Sequence, residues 1–299
     1  MTFGVAARPL AVGPPVSTPT PRSEAGGPAP VRVRDVSKVF GDQSNAVHAL
    51  DKISLDVRPG EFVCILGASG CGKSTLLNLV AGLDRPSAGV IEVDGRTSLM
   101  FQEAALFPWL TARGNVELAL RLDGRGRSDR RARAAELLGL VNLSEFGAKR
   151  PHELSGGMRQ RVALARALAQ RVDVLLMDEP FGALDAMTRD LLHDEVERLW
   201  REQQLAVLFV THNVREAVRL GDRVVLLSSR PGRVIAEFPV ELARPRRIDS
   251  PDVATLAATI TDQLRAEVAR HASETTHRGE SSDRGAGTLR RSETTHADD

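Results

Sequence analysis

The chain has 299 residues, 40 Lys and Arg against 39 Asp and Glu, and a formal net charge of +1. Its length allows one large or two modest domains, and the interspersed, balanced charge excludes a nucleic-acid coat or a polybasic membrane anchor. No apolar run approaches the roughly 20 residues that cross a bilayer, and the N-terminal residues lack the basic start and apolar core of a secretory signal, so the cytosol is the expected compartment.

Residues 1–30 are rich in Pro, Ala, Gly, Ser and Thr without apolar period and read as a disordered leader. From Val31 the pattern changes to strand: Val31, Val33, Val36 to Phe40, then the alternating Ile53 to Val57 before a turn at Pro59-Gly60. These early strands predict a small antiparallel layer. An apolar run from Phe62 to Leu66 follows, then Gly67-Ala68-Ser69-Gly70-Cys71-Gly72-Lys73-Ser74-Thr75, then a helical pattern at Leu76, Leu77 and Val80. Val90 to Val93 and Ser98 to Phe101 read as further strands. The middle differs in kind: Val116 to Leu122, Arg130 to Leu138 and Gly156 to Ala169 read as helices with no strand between them, a helical insertion over about 103–169. Val174 to Met177, Ala206 to Val210 and Val224 to Leu227 are short continuous apolar runs suited to buried parallel strands, with an amphipathic helix at Leu192, Val196 and Leu199. Alternating strands and helices predict an α/β fold with a parallel sheet and a ligand at the carboxyl ends of its strands. Ser250-Pro251-Asp252 opens a helix with a stripe at Val253, Leu256, Ile260, Leu264 and Val268. From about 271 the chain is polar, and Ser273 to His277 recurs as Ser292 to His296, which reads as a disordered tail.

The glycine-rich stretch between strand and helix is a phosphate cradle. Gly67, Gly70 and Gly72 let successive backbone N–H groups turn inward around an anion, and the helix that follows adds its positive end. Lys73 supplies a mobile charge for the β- and γ-phosphates, and the Ser74 hydroxyl suits the magnesium that bridges them. Asp178 and Glu179 end an apolar strand close to the cradle: Asp178 is placed to hold the magnesium hydration shell, Glu179 to polarise a water in line with the γ-phosphate. Of the two cysteines, Cys64 falls on a strand and Cys71 inside the cradle, indicating a reducing compartment. Cys71 is expected to react with thiol reagents, with bound ATP protecting it.

With Leu154-Ser155-Gly156-Gly157-Met158-Arg159-Gln160 added to the cradle and the acids, the chain resembles the ATP-binding subunit of an ABC transporter over roughly Val31 to Pro245. The resemblance implies a phosphate-loop NTPase core with a parallel sheet, a small antiparallel β layer and a helical insertion, binding ATP and Mg2+. It implies that Ser155, Gly156 and Gly157 face the γ-phosphate held by a second copy, so that two copies or paired ATPase subunits share two sites. Met158 departs from the usual Gln of that motif. Gln102 matches the glutamine that reaches metal and attacking water, His212 the switch histidine, Asp185 the loop that crosses the dimer, and Phe40 the aromatic that stacks on adenine. Domains expected on this basis are the nucleotide-binding domain over 31–245, a helical extension over 246–270 and the tail over 271–299.

Glu103 to Leu110, with Phe107, Pro108 and Trp109, matches the region that receives a cytoplasmic helix of an integral-membrane permease subunit. The spelling of this segment, of Asp178 to Asp185 and of Ser229 to Ile235 is similar to importer ATPases for nitrate, aliphatic sulfonates and taurine. That implies a peripheral location on the cytoplasmic face of the membrane, a periplasmic or lipid-anchored solute-binding protein as an indirect partner, and no nucleic acid. A cell-division type of ABC ATPase, which also pairs a single cassette with a membrane protein, is the alternative; Phe181-Gly182-Ala183 favours the importer.

Overall fold

In the computed structural model, residues 29–286 are described apart from 43 and 183, with side chains as far as 271. The chain runs β1 (Val31–Phe40), β2 (Val47–Val57), β3 (Phe62–Leu66), α1 (Lys73–Val80), β4 (Ala88–Val93), β5 (Thr97–Met100), α2 (Ala112–Leu122), α3 (Arg127–Leu140) and α4 (Gly156–Leu168). It continues through β6 (Val174–Asp178), α5 (Ala186–Gln203), β7 (Ala206–Val210), α6 (Val214–Leu220), β8 (Arg223–Leu227), β9 (Val234–Pro239) and α7 (Pro251–Ala286).

Two sheets form. The smaller is antiparallel in the order β2-β1-β4, and the larger has the order β5-β6-β7-β3-β8-β9. In the larger sheet β5, β6, β7, β3 and β8 are parallel and only β9 runs against its neighbour. The continuous apolar runs are explained by burial on both faces, and strand periodicity divides their side chains between two cores. Phe62, Cys64, Leu66, Leu175, Met177, Val207, Phe209, Val224 and Leu226 enter the larger core with the helical insertion. Val63, Ile65, Val174, Leu176, Leu208, Val210, Val225 and Leu227 face the other way, into the core shared with α1 and the antiparallel layer. A slip of one residue in any central strand would exchange these sets. The parity therefore fixes the register, and with it the alignment of the strand ends at Leu66, Asp178 and Val210.

Three features differ from the sequence expectations. Helix α6 and the edge strand β9 carry no clear period and are found only in three dimensions. Helix α7 continues past 270 to Ala286, where the polar composition implies disorder. No proline follows Pro251 in that stretch, so the backbone meets no helix breaker where the apolar stripe ends. Residues 1–28, within the expected leader, and 287–299, with the second tail pentapeptide, lie outside the described residues.

The first turns of α7 belong to the larger core, where Val253, Ala257 and Ile260 are buried. The segment before them is tied down by Arg246, whose buried guanidinium donates to the carbonyls of Val218 at 3.0 Å, Val240 at 2.9 Å and Leu242 at 3.0 Å, and also to Gly221. It thereby satisfies carbonyls at the end of α6. Burial, with Arg244 adding repulsion, brings its pKa down to about 10, so the charge persists at neutral pH. Arg246→Leu strands several buried acceptors and is expected to cost about 3 kcal/mol in urea denaturation, against about 0.5 kcal/mol for Arg247→Leu on the exposed neighbour.

Candidate functional site

The loops after β3, β6 and β7 emerge side by side, because β7 lies between β6 and β3. The loop after β3 is the glycine-rich stretch. Gly70 and Gly72 have φ of +75° and +100°, and a Cβ on Gly72 would lie 2.6 Å from Leu50 and 2.8 Å from the Ala49 carbonyl. Only glycine fits there. Gly72 is the N-cap of α1, and the buried Lys73 curls its ammonium back to the carbonyls of Gly67 at 2.9 Å and Ala68 at 3.0 Å. Ser69, Gly70 and Ser74 are exposed at the rim, with Thr75 half-buried behind them.

Cys71 is the exception in this loop. Its side chain is 1% exposed and packs in the smaller core, filling the space that Gly67 leaves: a Cβ there would meet the Cys71 Sγ at 2.6 Å. Burial raises its pKa, with Lys73 opposing. The expectation of a reactive cradle thiol is therefore corrected. Modification of the native protein at pH 7, followed by mass spectrometry, is expected to be at least ~10-fold slower than in denaturant, with or without ATP.

Asp178 closes β6 with its side chain buried. Burial raises its pKa, the nearby Ser74 hydroxyl and Lys73 act to lower it, and Glu179 beside it acts to raise it. Asp178 Oδ1 is buried without a hydrogen-bond partner. Glu179 has φ +46°, a left-handed conformation uncommon outside glycine, and is held there by its N–H to Val210 O at 2.9 Å and by its carbonyl, which accepts from Gly182 N at 3.2 Å. This twist turns the carboxylate towards the loop after β7, where Oε2 lies 3.1 Å from His212 Nδ1. A strained residue held from both sides marks a site in which geometry has priority over local stability.

Gln102 is exposed two residues beyond β5, whose Met100 pairs with Met177 in parallel register, so it leaves the sheet beside the two acids. Phe40 ends β1 opposite Val47, three residues from the Leu50 that packs on Gly72; its ring is 43% exposed, with the Lys38 ammonium 4.8 Å from its centroid. Ser155 is the N-cap of α4, its hydroxyl accepting from Met158 N at 3.2 Å, while Ser155 and Gly156 are exposed and Gly157 is half-exposed. Met158 packs its side chain on the larger core and needs only its amide at this helix start, which explains why Met is accommodated there. Asp185 caps α5, accepting from Thr188 N at 2.9 Å, and that hydrogen bond holds its carboxyl below the usual range.

The chain matches the family model described as "ABC transporter" over residues 50–182. It is 46% identical over 220 residues to the nitrate import ATP-binding protein of Synechocystis sp., covering 71% of this chain and 83% of that one. Identity to the taurine import ATP-binding protein of Rhizobium johnstonii is 50% over 206 residues, 66% of this chain and 79% of the relative. To an aliphatic sulfonates import ATP-binding protein of Mesorhizobium japonicum it is 44% over 269 residues, 84% and 99%. This chain belongs to the ATP-binding subunits of ABC transporters. A dimeric post-hydrolysis structure of an ATP-binding cassette bound to ADP and Pi superposes with TM-score 0.67 at 35% identity, over 71% of this chain and all of the cassette. The chain is thus an ATPase subunit whose hydrolysis energises a membrane importer. None of its helices among the described residues is long and apolar enough to cross a membrane.

In this ABC ATPase the loop from Glu103 to Leu110 is pinned from two sides. Buried Asn115 of α2 accepts from Phe107 N at 2.8 Å and donates to Thr111 O at 3.0 Å, while Arg166 of α4 donates to Ala105 O at 2.7 Å and Ala104 O at 3.1 Å. The result leaves Trp109 68% exposed, its ring 5.4 Å from that of Phe107, while the first part of the loop, Glu103 to Leu106, lines an open groove of about 470 Å³ with the start of α4. Neither Asn115 nor Arg166 stands out in the sequence. Each is a polar residue at an inward helical position, which is a weak signal for a loop anchor.

Proposed function

We propose that this ATPase drives uptake of nitrate, taurine or an aliphatic sulfonate, working on the cytoplasmic face of the membrane with integral permease subunits and, through them, a solute-binding protein. The observation that carries the reading is identity of 44–50% with import ATP-binding proteins named for those solutes. The cassette does not itself touch cargo, so its chemistry is common to all three.

In the proposed site the cradle N–H groups from Gly67 to Gly72 and the N-terminus of α1 hold the phosphates, with Ala68, Ser69 and Thr75 shaping the loop and Lys73 swinging from its carbonyl partners to the β- and γ-oxygens. The residues fit magnesium. Asp178 has a buried oxygen without a partner beside the Ser74 hydroxyl, and among the described residues no three His, Cys, Asp or Glu gather into a cage that would bind a metal without nucleotide. Ser74, Asp178 and Gln102 would hold it, and it would supply neutralisation of the phosphate charge. Glu179 orients and deprotonates the attacking water, while His212 fixes the Glu179 carboxylate and reaches the γ-phosphate. Phe40 offers its open face to adenine. Exposed Ser155 and Gly156, with half-exposed Gly157, at the start of α4 complete the site of a second copy, and Asp185 lies on the loop that links the two sites. The dimeric cassette structures at 35% identity support assembly of two copies.

The test is a mild-detergent pull-down of the tagged protein from its own cells, with mass spectrometry of the co-purifying chains. The expected result is a multi-span permease together with a solute-binding protein that binds nitrate, taurine or a sulfonate; recovery of a division-type membrane partner alone would overturn the transport assignment. Exposed Trp109 gives a sharper version. Aromatic anchors at interfaces contribute about 2 kcal/mol or more, so Trp109→Ala is expected to lower permease recovery roughly 30-fold while leaving the ATPase rate of the isolated protein within about twofold.

A further inference from the structure

Behind the Glu179–His212 pair lies a polar chain that the proposed mechanism does not use. His193 of α5 is wholly buried, and its Nε2 lies 2.8 Å from Glu216 Oε1 of α6. The other Glu216 oxygen accepts the hydroxyl hydrogen of Thr211, the residue immediately before His212. Thr211 Oγ1 in turn accepts from Asn213 N at 3.0 Å, and Asn213 Oδ1 accepts from Glu216 N at 3.2 Å. His212 is thus bracketed by two residues bonded to Glu216. Since Glu216 is a buried acceptor at this contact, the network assigns the hydrogen to Nε2 of His193. Nδ1 is buried without a hydrogen-bond partner. Asp190 Oδ1 lies 3.8 Å from Nδ1, and the ring also packs edge-to-face with Phe181, centroids 4.8 Å apart; Phe181 stands two residues after Glu179 in the turn whose Gly182 N–H holds the Glu179 carbonyl.

We infer that His193 is a positioning residue for the catalytic pair: through Glu216 and Thr211 it sets the His212 loop, and through Phe181 it sets the Glu179 turn. The inference rests on the reading of Glu179 and His212 given above. Leu or Phe would serve packing alone at this position with no buried nitrogen to satisfy; here His193 supplies the donor to one Glu216 oxygen while Thr211 supplies the donor to the other. His193 also sits on the helix that Asp185 caps, so a displacement of that cap by a second copy reaches both arms of the pair through one side chain.

The test uses the full-length protein, with kcat and KM for ATP measured on four single variants and one double variant. His193→Phe keeps a ring against Phe181 and removes the donor to Glu216; it is expected to lower kcat roughly 10- to 100-fold, the scale of a catalytic group misplaced by about 1 Å, with KM within twofold. His193→Gln retains an N–H donor near the position of Nε2 and is expected to recover kcat to within about threefold of the parent. In a His212→Ala background His193→Phe is expected to cause no further loss, because its effect passes through His212. A merely structural role would lower kcat equally in both backgrounds, and that outcome, or full kcat in folded His193→Phe, overturns the inference. If His193→Phe does not fold, Thr211→Val cuts the same chain one bond nearer to His212 and is judged by the same criteria. His212→Ala alone separates the two readings: unchanged kcat removes the catalytic pair and the inference with it, whereas a fall in kcat with His193→Phe unaffected removes the inference only.

Discussion

Glu179→Gln is expected to lower ATP hydrolysis by ~10²- to 10⁴-fold, the usual contribution of a positioned general base, and at the same time to convert the protein into an ATP-dependent dimer. The two effects share a physical origin. The amide keeps the shape of the carboxylate, and the backbone strain at φ +46° is held by main-chain bonds to Val210 and Gly182 that the substitution leaves intact. Gln can still engage His212, but it cannot take a proton from water. On the shared-site reading, stopping hydrolysis would keep the γ-phosphate in the seam and the exposed N-terminus of α4 on each copy engaged with the other copy's nucleotide. Light scattering with saturating ATP and magnesium should give twice the monomer mass for Glu179→Gln and mainly monomer for the parent after turnover. A variant that stays monomeric under those conditions would overturn the shared-site reading, and one that keeps the parental rate would remove Glu179 as the base.

Much of this site is legible in the sequence because its chemistry is local. The cradle from Gly67 to Thr75 needs glycine at fixed positions, and Gly72 shows why: its φ and the nearness of Leu50 admit nothing larger. The strands β3, β6 and β7 are legible as uninterrupted apolar runs because both faces are covered. What escapes is whatever depends on partners distant in sequence. His193 sits beside Leu192 on a helix read from its apolar stripe, and nothing there signals that Glu216, 23 residues on, will meet it. Cys71 reads as a loop residue and hence as accessible, yet the loop folds its side chain inward under Gly67. Helix α6, at seven residues, is too short to show a period, and β9 is half-buried along most of its length and so does not alternate. Arg246 is the same lesson in charge: a guanidinium in a polar stretch reads as surface, and only the fold shows the ring of carbonyls around it.

Asp178→Asn is expected to reduce hydrolysis by ~10²- to 10³-fold, the scale of losing one preorganised electrostatic contact at the reacting phosphate, while leaving the nucleotide-free protein at least as stable as the parent. The sign follows from the raised pKa. Burial makes the native state hold the Asp178 proton more tightly than the unfolded chain does, so the contribution to stability is full below the ordinary carboxylate range and is lost as pH rises through the native value. Without nucleotide the parent carries this buried carboxyl with one oxygen lacking a partner and Glu179 alongside. Asn removes the charge, and Lys73 keeps the Gly67 and Ala68 carbonyls as acceptors. Thermal melts should place Asp178→Asn at or above the parent at pH 7 to 8, with the difference narrowing towards pH 5. Adding magnesium should raise the melting temperature of the ATP-bound parent but not that of the variant, because the ion offsets a charge that the variant no longer has. A variant that melts several degrees below the parent at pH 7 would mean that the carboxylate is a structural partner of Ser74 and Lys73. The same melts with magnesium still stabilising the variant would place the metal elsewhere. On the reading proposed above, a magnesium nucleotide would offset the cost of this half-satisfied carboxyl, so stability and catalysis are expected to separate at this one residue.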